Sequence, residues 1–262
     1  MDWLQNITLG QFLIFTLVLV RASGLMMIAP IYGSNDVPLR VRAMLAFTLA
    51  LLITPTQWNV VVRFPQTLPA YVLLLAGELI VGLVLGLGVV ILLSGIQLTG
   101  QLISRVSGLA LANIADPTFG GSSAVFSRLL TLLTLAVFVT TGGHRMVMAA
   151  LLDTFAALPL GTLGIPRGIG ETMVTLLAQS FSLGLRASAP AVTAVLLSTV
   201  VLGLIGRTLP QLNILAVGFG LNSMVSLGTL AVSLGAIAWA FQDQLQPALD
   251  VVLKTLGGVH VP

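Results

Sequence analysis

An all-α, polytopic membrane fold follows from three features of the chain: its composition, the length of its apolar runs and the placement of its few charges. Of 262 residues, 57% are hydrophobic and 7% charged, against about 25% charged in a typical soluble domain. So little polar surface cannot cover a soluble globule of this size. The longest apolar runs reach the ~20 residues a helix needs to cross a bilayer. Glycine and proline punctuate them, so broken helices and hairpins are expected. Eleven basic residues against eight acidic ones give a net charge of +3, scattered with no nucleic-acid footprint. The absence of cysteine excludes a disulfide framework, a zinc-thiolate site and a thiol nucleophile.

The first residues carry an acid and no base ahead of the first apolar run, unlike a cleavable signal peptide, so that run is expected to be retained. It extends from Gln11 to Tyr32 and holds Arg21, Gly24 and Pro30. A guanidinium at that depth is costly unless it faces protein or water; the alternative is an arginine snorkelling between two shorter segments. Residues 33–42 form a short polar connection. Arg40 and Arg42 favour a cytoplasmic side, but Arg63, Arg145 and Arg167 divide the same bias among other loops, which leaves orientation open. Ala43 to Ile53 is too short to span alone and fits a half-span or a helix buried in protein. Pro69 to Leu93 is the strongest span. Gly82 and Gly86, with Gly77, Gly88 and Gly95, notch it for close approach by other helices. Glu78 inside it is a partner for an arginine such as Arg21, a proton site, or a protonated and inert group, with structural pairing the leading reading.

Ser94 to Ser123 differs from its surroundings. Gln97, Gln101 and Arg105 fall four apart as a polar stripe, and Gly100, Ser104, Gly108 and Ala112 form a small-residue stripe beside it. A flat face admits another backbone, and polar side chains there bond across helices or line water. The helix is expected to stop at Asn113, because the segment with Asp116, Pro117, Phe119, Gly120 and Gly121 cannot continue it. An apolar loop at membrane depth needs protein or a water-filled cavity around it. A plain surface loop between two spans fits the composition equally.

Val125 to Thr141 is the next apolar run, broken at Gly142-Gly143-His144-Arg145, and His144 has no second ligand at metal spacing. Met146 to Leu158 is a short helix closed by Pro159, and residues 161–170 form a loop. From Glu171 to Gly206 the chain is apolar, interrupted by Gln179, Arg186 and Pro190; the proline is expected to kink the helix or divide it. Turn chemistry at Arg207, Pro210, Gln211 and Asn213 joins two arms of a hairpin. The second arm, Leu212 to Phe241, is more polar and more notched than lipid contact requires, and Gln242 to Pro262 is polar enough to lie outside. No serine has a base nearby in sequence, and the glycine patterns lack a phosphate-binding context, so neither an enzyme site nor a cofactor or metal is expected.

Arg21-x-x-Gly24 with Ala29-Pro30 and Val37-Pro38, Gly77-Glu78 with Gly82 and Gly86, and Gly95 through Gly108-Leu109 form the first part of a longer ordered set. Asp116-Pro117, Gly142-Gly143-His144, Leu158-Pro159-Leu160-Gly161, Leu185-Arg186-Ala187 with Pro190, and Arg207-x-x-Pro210-Gln211-x-Asn213 complete it. In this order, along nearly the whole chain, these residues resemble the FliR family of the bacterial flagellar export apparatus, which is similar to the SpaR/YscT-type subunits of injectisomes. The resemblance implies a FliP-like part over residues 1–170, with an inner helix and plug loop at about 94–123, followed by a FliQ-like helical hairpin over 171–262. It implies a non-enzymatic export gate in the bacterial inner membrane, at the flagellar basal body. There one copy joins FliP-like, FliQ-like and FlhB-like subunits around a pore for unfolded export substrates.

On that reading Gln97, Gln101 and Arg105 line the pore, and Gly108 with Asn113 to Ser123 supplies the plug. Arg21, Gly24, Glu78, Gly82, Gly86, Arg186, Pro190, Arg207, Pro210, Gln211 and Asn213 make interhelical or intersubunit contacts. The resemblance also implies that the apolar helices need not all lie in lipid. One departure is plain: after Gly218 the family often shows a proline and a basic residue, where this chain has Phe219-Gly220-Leu221-Asn222. The rival reading is a small-molecule or proton-coupled secondary transporter using Glu78 or Asp153. The two halves lack the matched broken helices such transporters often show.

Overall fold

The computed structural model describes residues 9–33, 37–60, 62, 67–108, 125–161, 168–209, 211 and 214–257. All regular structure among them is helical: α1 (Leu9–Ile28), α2 (Leu39–Ile53) with a 3₁₀ turn (Thr54–Gln57), α3 (Leu68–Val106), α4 (Val125–Thr140), α5 (Gly143–Ala157), α6 (Ile169–Thr208) and α7 (Ile214–Leu256). Five helices are long and apolar enough to cross a membrane, and the chain is a multi-pass membrane protein. Contacts group the chain into two compact units that interleave in sequence. One comprises Met1–Val90, Gly142–Leu176 and Leu245–Pro262; the other comprises Ile91–Thr141 and Leu177–Gln244.

In the first unit, α1 and the first half of α3 run in the same direction with their backbones in contact. Gly24 and Gly82 make this possible. A Cβ on Gly82 would collide with the Arg21 carbonyl and lie 2.9 Å from the Leu25 nitrogen, and one on Gly24 would lie 3.1 Å from the Leu83 nitrogen. Leu17, Val18, Leu25, Leu85 and Val89 fill the core around this crossing. α1 ends at Ile28, two residues before Pro30, which disfavours helical geometry in the residue preceding it. The turn that follows closes with Gly33 N–H donating to Ala29 O (2.7 Å), and it holds Ile31 at a φ of 73°.

α2 starts behind Pro38 and ends at Ile53, before the 3₁₀ turn that holds Pro55, and it packs on α1 through an edge-to-face contact of Phe15 and Phe47 (5.6 Å between centroids). It is not the buried helix that its short length allowed. Only Ala46, Ala50 and Ile53 are buried, while Leu39, Met44, Leu51 and Leu52 are exposed.

The last turns of α7 also belong to this unit. Gln242 to Leu256 continues the helix and is not a loose tail. Its polar residues cover one face only. Leu245, Leu249, Val252 and Leu256 form a buried stripe on the other. Gly88 leaves room for Val252, and Thr172 and Thr255 share a hydroxyl hydrogen bond of 2.7 Å.

In the second unit, the end of α3 packs in parallel on α6. α4 buries Leu130, Thr134 and Phe138, spaced four apart on one stripe. α6 and α7 form an antiparallel hairpin, with Asn222 Nδ2 donating to Thr199 Oγ1 (3.2 Å) and Gly218 against Leu202. Pro190 does not divide α6, which is continuous through it. A proline within a helix removes one i→i−4 hydrogen bond, a loss that long buried and membrane helices tolerate. α3 likewise ends earlier than expected, at Val106 rather than Asn113, where Gly108 takes a φ of 81° that only glycine adopts without strain.

Candidate functional site

Two arrangements gather the polar chemistry of this apolar chain. The first surrounds Arg21 in the first unit. Its side chain is fully buried, and every guanidinium nitrogen has a partner. Nε donates to Glu78 Oε2 at 2.6 Å, and Nη2 approaches the same oxygen at 2.6 Å. Nη1 donates to Thr154 O (3.1 Å), Thr154 Oγ1 (3.3 Å) and Leu158 O (3.1 Å), while Nη2 reaches Leu158 O at 3.1 Å. Phe155 lies beneath it, with Cζ 4.4 Å from the ring centroid. The second carboxylate oxygen of Glu78 accepts from the Gly161 N–H at 3.1 Å.

The fold puts these groups together through local rules. Arg21 and Gly24 are one turn apart, so the glycine that admits α3 also brings Glu78 to the arginine. The Leu158 carbonyl lies just past the end of α5 at Ala157, where carbonyls have no intrahelical donor, and the Thr154 carbonyl accepts both the Leu158 N–H (2.8 Å) and Arg21. Gly161, at a φ of 80°, turns its N–H toward Glu78. A buried charge is stable only when paired and hydrogen-bonded, and here both members meet that condition. The ion pair binds α1, α3 and the α5 end into one body.

The second arrangement is the end of α3 in the second unit. Ser180 Oγ donates to Ile91 O (2.5 Å), Thr99 Oγ1 donates to Gly184 O (3.1 Å), and Gly95 and Gly184 let the two backbones meet. Gly100 and Ser104 are buried as well. Gln97, Gln101 and Arg105 are all exposed, forming a polar line on a helix whose other exposed positions are apolar, such as Leu73 and Leu87.

The structure thus brings Arg21, Gly24, Glu78, Gly82 and Gly86 together, and sets Gln97, Gln101 and Arg105 on one face. Arg186 and Pro190 are exposed on α6; Arg207 and Gln211 are exposed at the hairpin turn. Gly108 is the last described residue before the expected plug. Asn113, Asp116, Pro117, Phe119, Gly120, Gly121, Pro210 and Asn213 lie outside the described residues. Asp153, the alternative proton carrier, is exposed on α5. Sequence reasoning missed Thr154 and Leu158 as acceptors for Arg21. The signal lay in Leu158-Pro159, since a proline after a short helix marks an end where carbonyls can take outside donors.

Comparison with known proteins gives consistent results. Residues 12–248 match the family described as bacterial export proteins, family 1. The chain is 29% identical to the flagellar biosynthetic protein FliR of Caulobacter vibrioides, over 93% of this chain and 97% of that protein. It is 28% identical to the FliR of Bacillus subtilis, over 98% and 100% respectively. Identity to the FliR of Pectobacterium carotovorum is 31%, over 90% of each.

Proposed function

The chain belongs to the bacterial export proteins, family 1, in its FliR group, and from that premise we propose that it is a structural pore component of the flagellar type III protein export gate. Its relatives are named for flagellar biosynthesis and not for a catalysed reaction. In this reading one copy assembles with FliP-like, FliQ-like and FlhB-like subunits in the bacterial inner membrane, at the flagellar basal body, and unfolded export substrates pass through the assembly. Residues 1–170 take the FliP-like part and 171–262 the FliQ-like hairpin.

The observation that carries the pore role is the exposed line Gln97, Gln101 and Arg105. Three exposed polar side chains on a helix whose other exposed positions are apolar are costly against lipid and favourable against water. Further along the chain, Gly108 and residues 113–123 are the proposed plug. Arg186, Pro190, Arg207, Pro210, Gln211 and Asn213 act as contacts to neighbouring helices or subunits.

Native mass spectrometry of the tagged chain, co-expressed with its chromosomal neighbours, tests the assembly. A single copy bound to several smaller membrane subunits is the expected result; a lone chain or a homodimer binding a small solute refutes it. Deleting residues 115–121 should leave assembly intact and make the closed gate leak small solutes. Unchanged ion permeability removes the plug from this account. The transporter reading is disfavoured by Glu78, whose two oxygens are taken by Arg21 and the Gly161 N–H.

A further inference from the structure

A serine or threonine on a helix satisfies its hydroxyl most simply by donating to a carbonyl three or four residues back. Four side chains of the α6–α7 hairpin do so: Ser188 to Leu185 O (3.0 Å), Thr199 to Val195 O (2.9 Å), Thr208 to Ile205 O (2.8 Å) and Thr229 to Val225 O (2.8 Å). Ser198 and Ser226 do not. Their Oγ atoms are shielded from solvent and have no hydrogen-bond partner among the described residues, and the same holds for Asn222 Oδ1. Ser226 is fully buried. Since buried polar atoms are nearly always hydrogen-bonded, three orphans in one place point to a shared partner.

The register of the hairpin brings them to one place. Thr199 faces Asn222 at 3.2 Å and Leu202 faces Gly218, so Val195 stands level with Ser226. Ser198 adjoins Thr199 and stands at the level of Asn222. Asn222 and Ser226 are one turn apart on the same face of α7. Side chains so placed have Cβ atoms about 5–6 Å apart, a span that one water closes with two hydrogen bonds of about 2.8 Å. Thr199 also fixes which way the amide points. Its proton goes to Val195 O, so its Oγ1 can only accept, and Asn222 must turn Nδ2 toward it. Oδ1 then faces away, as an acceptor in need of a donor.

The missing partner must donate to Asn222 Oδ1 and reach two hydroxyls. An anion offers no donor. A bare cation would be an uncompensated buried charge, because neither arm carries an acid between Glu171 and Asp243. Water both donates and accepts, and about three partners is the usual number for a buried one.

We propose that a water molecule is bound between α6 and α7, donating to Asn222 Oδ1 and accepting from the hydroxyls of Ser198 and Ser226, and that this hydrated layer fixes the register of the hairpin. The buried positions to either side, Ala191, Val195, Leu202 and Leu230, are apolar. Sliding one arm by a turn would break the Thr199 contact and set Asn222 and Ser226 against apolar side chains. A polar layer in an apolar seam selects one register in this way, at a cost in stability. The inference is independent of the pore reading.

The lack of cysteine makes the register measurable in native membranes with the full chain. Cysteines introduced at 202 and 218 should cross-link on oxidation. The pairs 206 with 218 and 202 with 214, each one turn out of register, should not. Combining Ser198→Ala, Asn222→Leu and Ser226→Ala makes the layer apolar and should raise one of the out-of-register products several-fold relative to the 202–218 product. An unchanged ratio refutes the register role.

Cryo-electron microscopy of the protein, purified with the subunits it binds and at a resolution that shows ordered water, tests the site itself. A peak within about 3 Å of Asn222 Oδ1 and both hydroxyls is expected. An ordered layer without that peak, or Ser226 donating directly to Asn222, overturns the proposal. In Ser226→Ala the peak should weaken or vanish while the Asn222 to Thr199 bond persists; a peak of full strength removes Ser226 from the site and refutes the assignment.

Discussion

Arg21 engages a carboxylate, two main-chain carbonyls, a hydroxyl and an aromatic face, yet only the carboxylate could be named from the sequence. Glu78 is one of very few acids within the apolar runs, which made it the natural counter-ion. Thr154 and Leu158 became acceptors through a helix end that no local pattern ties to Arg21. Because both charges are buried, removing one strands the other. Arg21→Met should destabilise the protein by about 3–5 kcal/mol, read as a lowered unfolding temperature in mild detergent. Adding Glu78→Met should recover part of that loss, since replacing a buried pair by apolar groups is far less costly than breaking it. A double variant no more stable than the single ones would mean that the Thr154 and Leu158 contacts dominate. Glu78→Gln should lower complex stability without a selective loss of proton coupling, which is what a carrier carboxylate would show.

At the scale of elements, the glycines of α3 divide into two kinds that the sequence does not separate. Gly82 touches the α1 backbone, and Gly95 touches α6 at Ser180, where an added Cβ would lie 2.8 Å from the hydroxyl oxygen. Gly77 has nothing within 4 Å of where a Cβ would stand. Gly82→Ala and Gly95→Ala should therefore reduce the yield of folded protein. Gly77→Ala should be neutral or stabilise by up to about 1 kcal/mol through helix propensity. Size-exclusion profiles and unfolding temperatures of the three variants check this contrast, and equal effects would refute the two close crossings. The GxxxG spacing at Gly82 and Gly86 was legible because helical periodicity places both on one face. That Gly77 is idle was not, because it depends on where the neighbouring helix ends its contact.

For the whole molecule, the final turns of α7 return to the unit that the first residues of the chain build. Stopping translation after Gln244 removes the buried stripe of Leu245, Leu249, Val252 and Leu256, along with the Thr172 to Thr255 hydrogen bond. The truncated chain should fall several-fold in membrane abundance, measured by immunoblot of a tag at the N-terminus. An unchanged level would return these residues to the role of a tail. Composition and periodicity alone determined that this is an all-helical membrane protein, where its apolar runs lie, and that Arg21 is costly at its depth unless protein or water meets it. These follow from local quantities: hydrophobicity, spacing and the cost of a bare charge in lipid. Tertiary structure decided that Pro190 does not divide α6, that α3 ends at Val106, that α2 shows most of its apolar face, and that the polar C-terminal stretch is a packed helix. Each depends on which side of a helix another helix covers, and burial on one face is decided by residues far away in the chain.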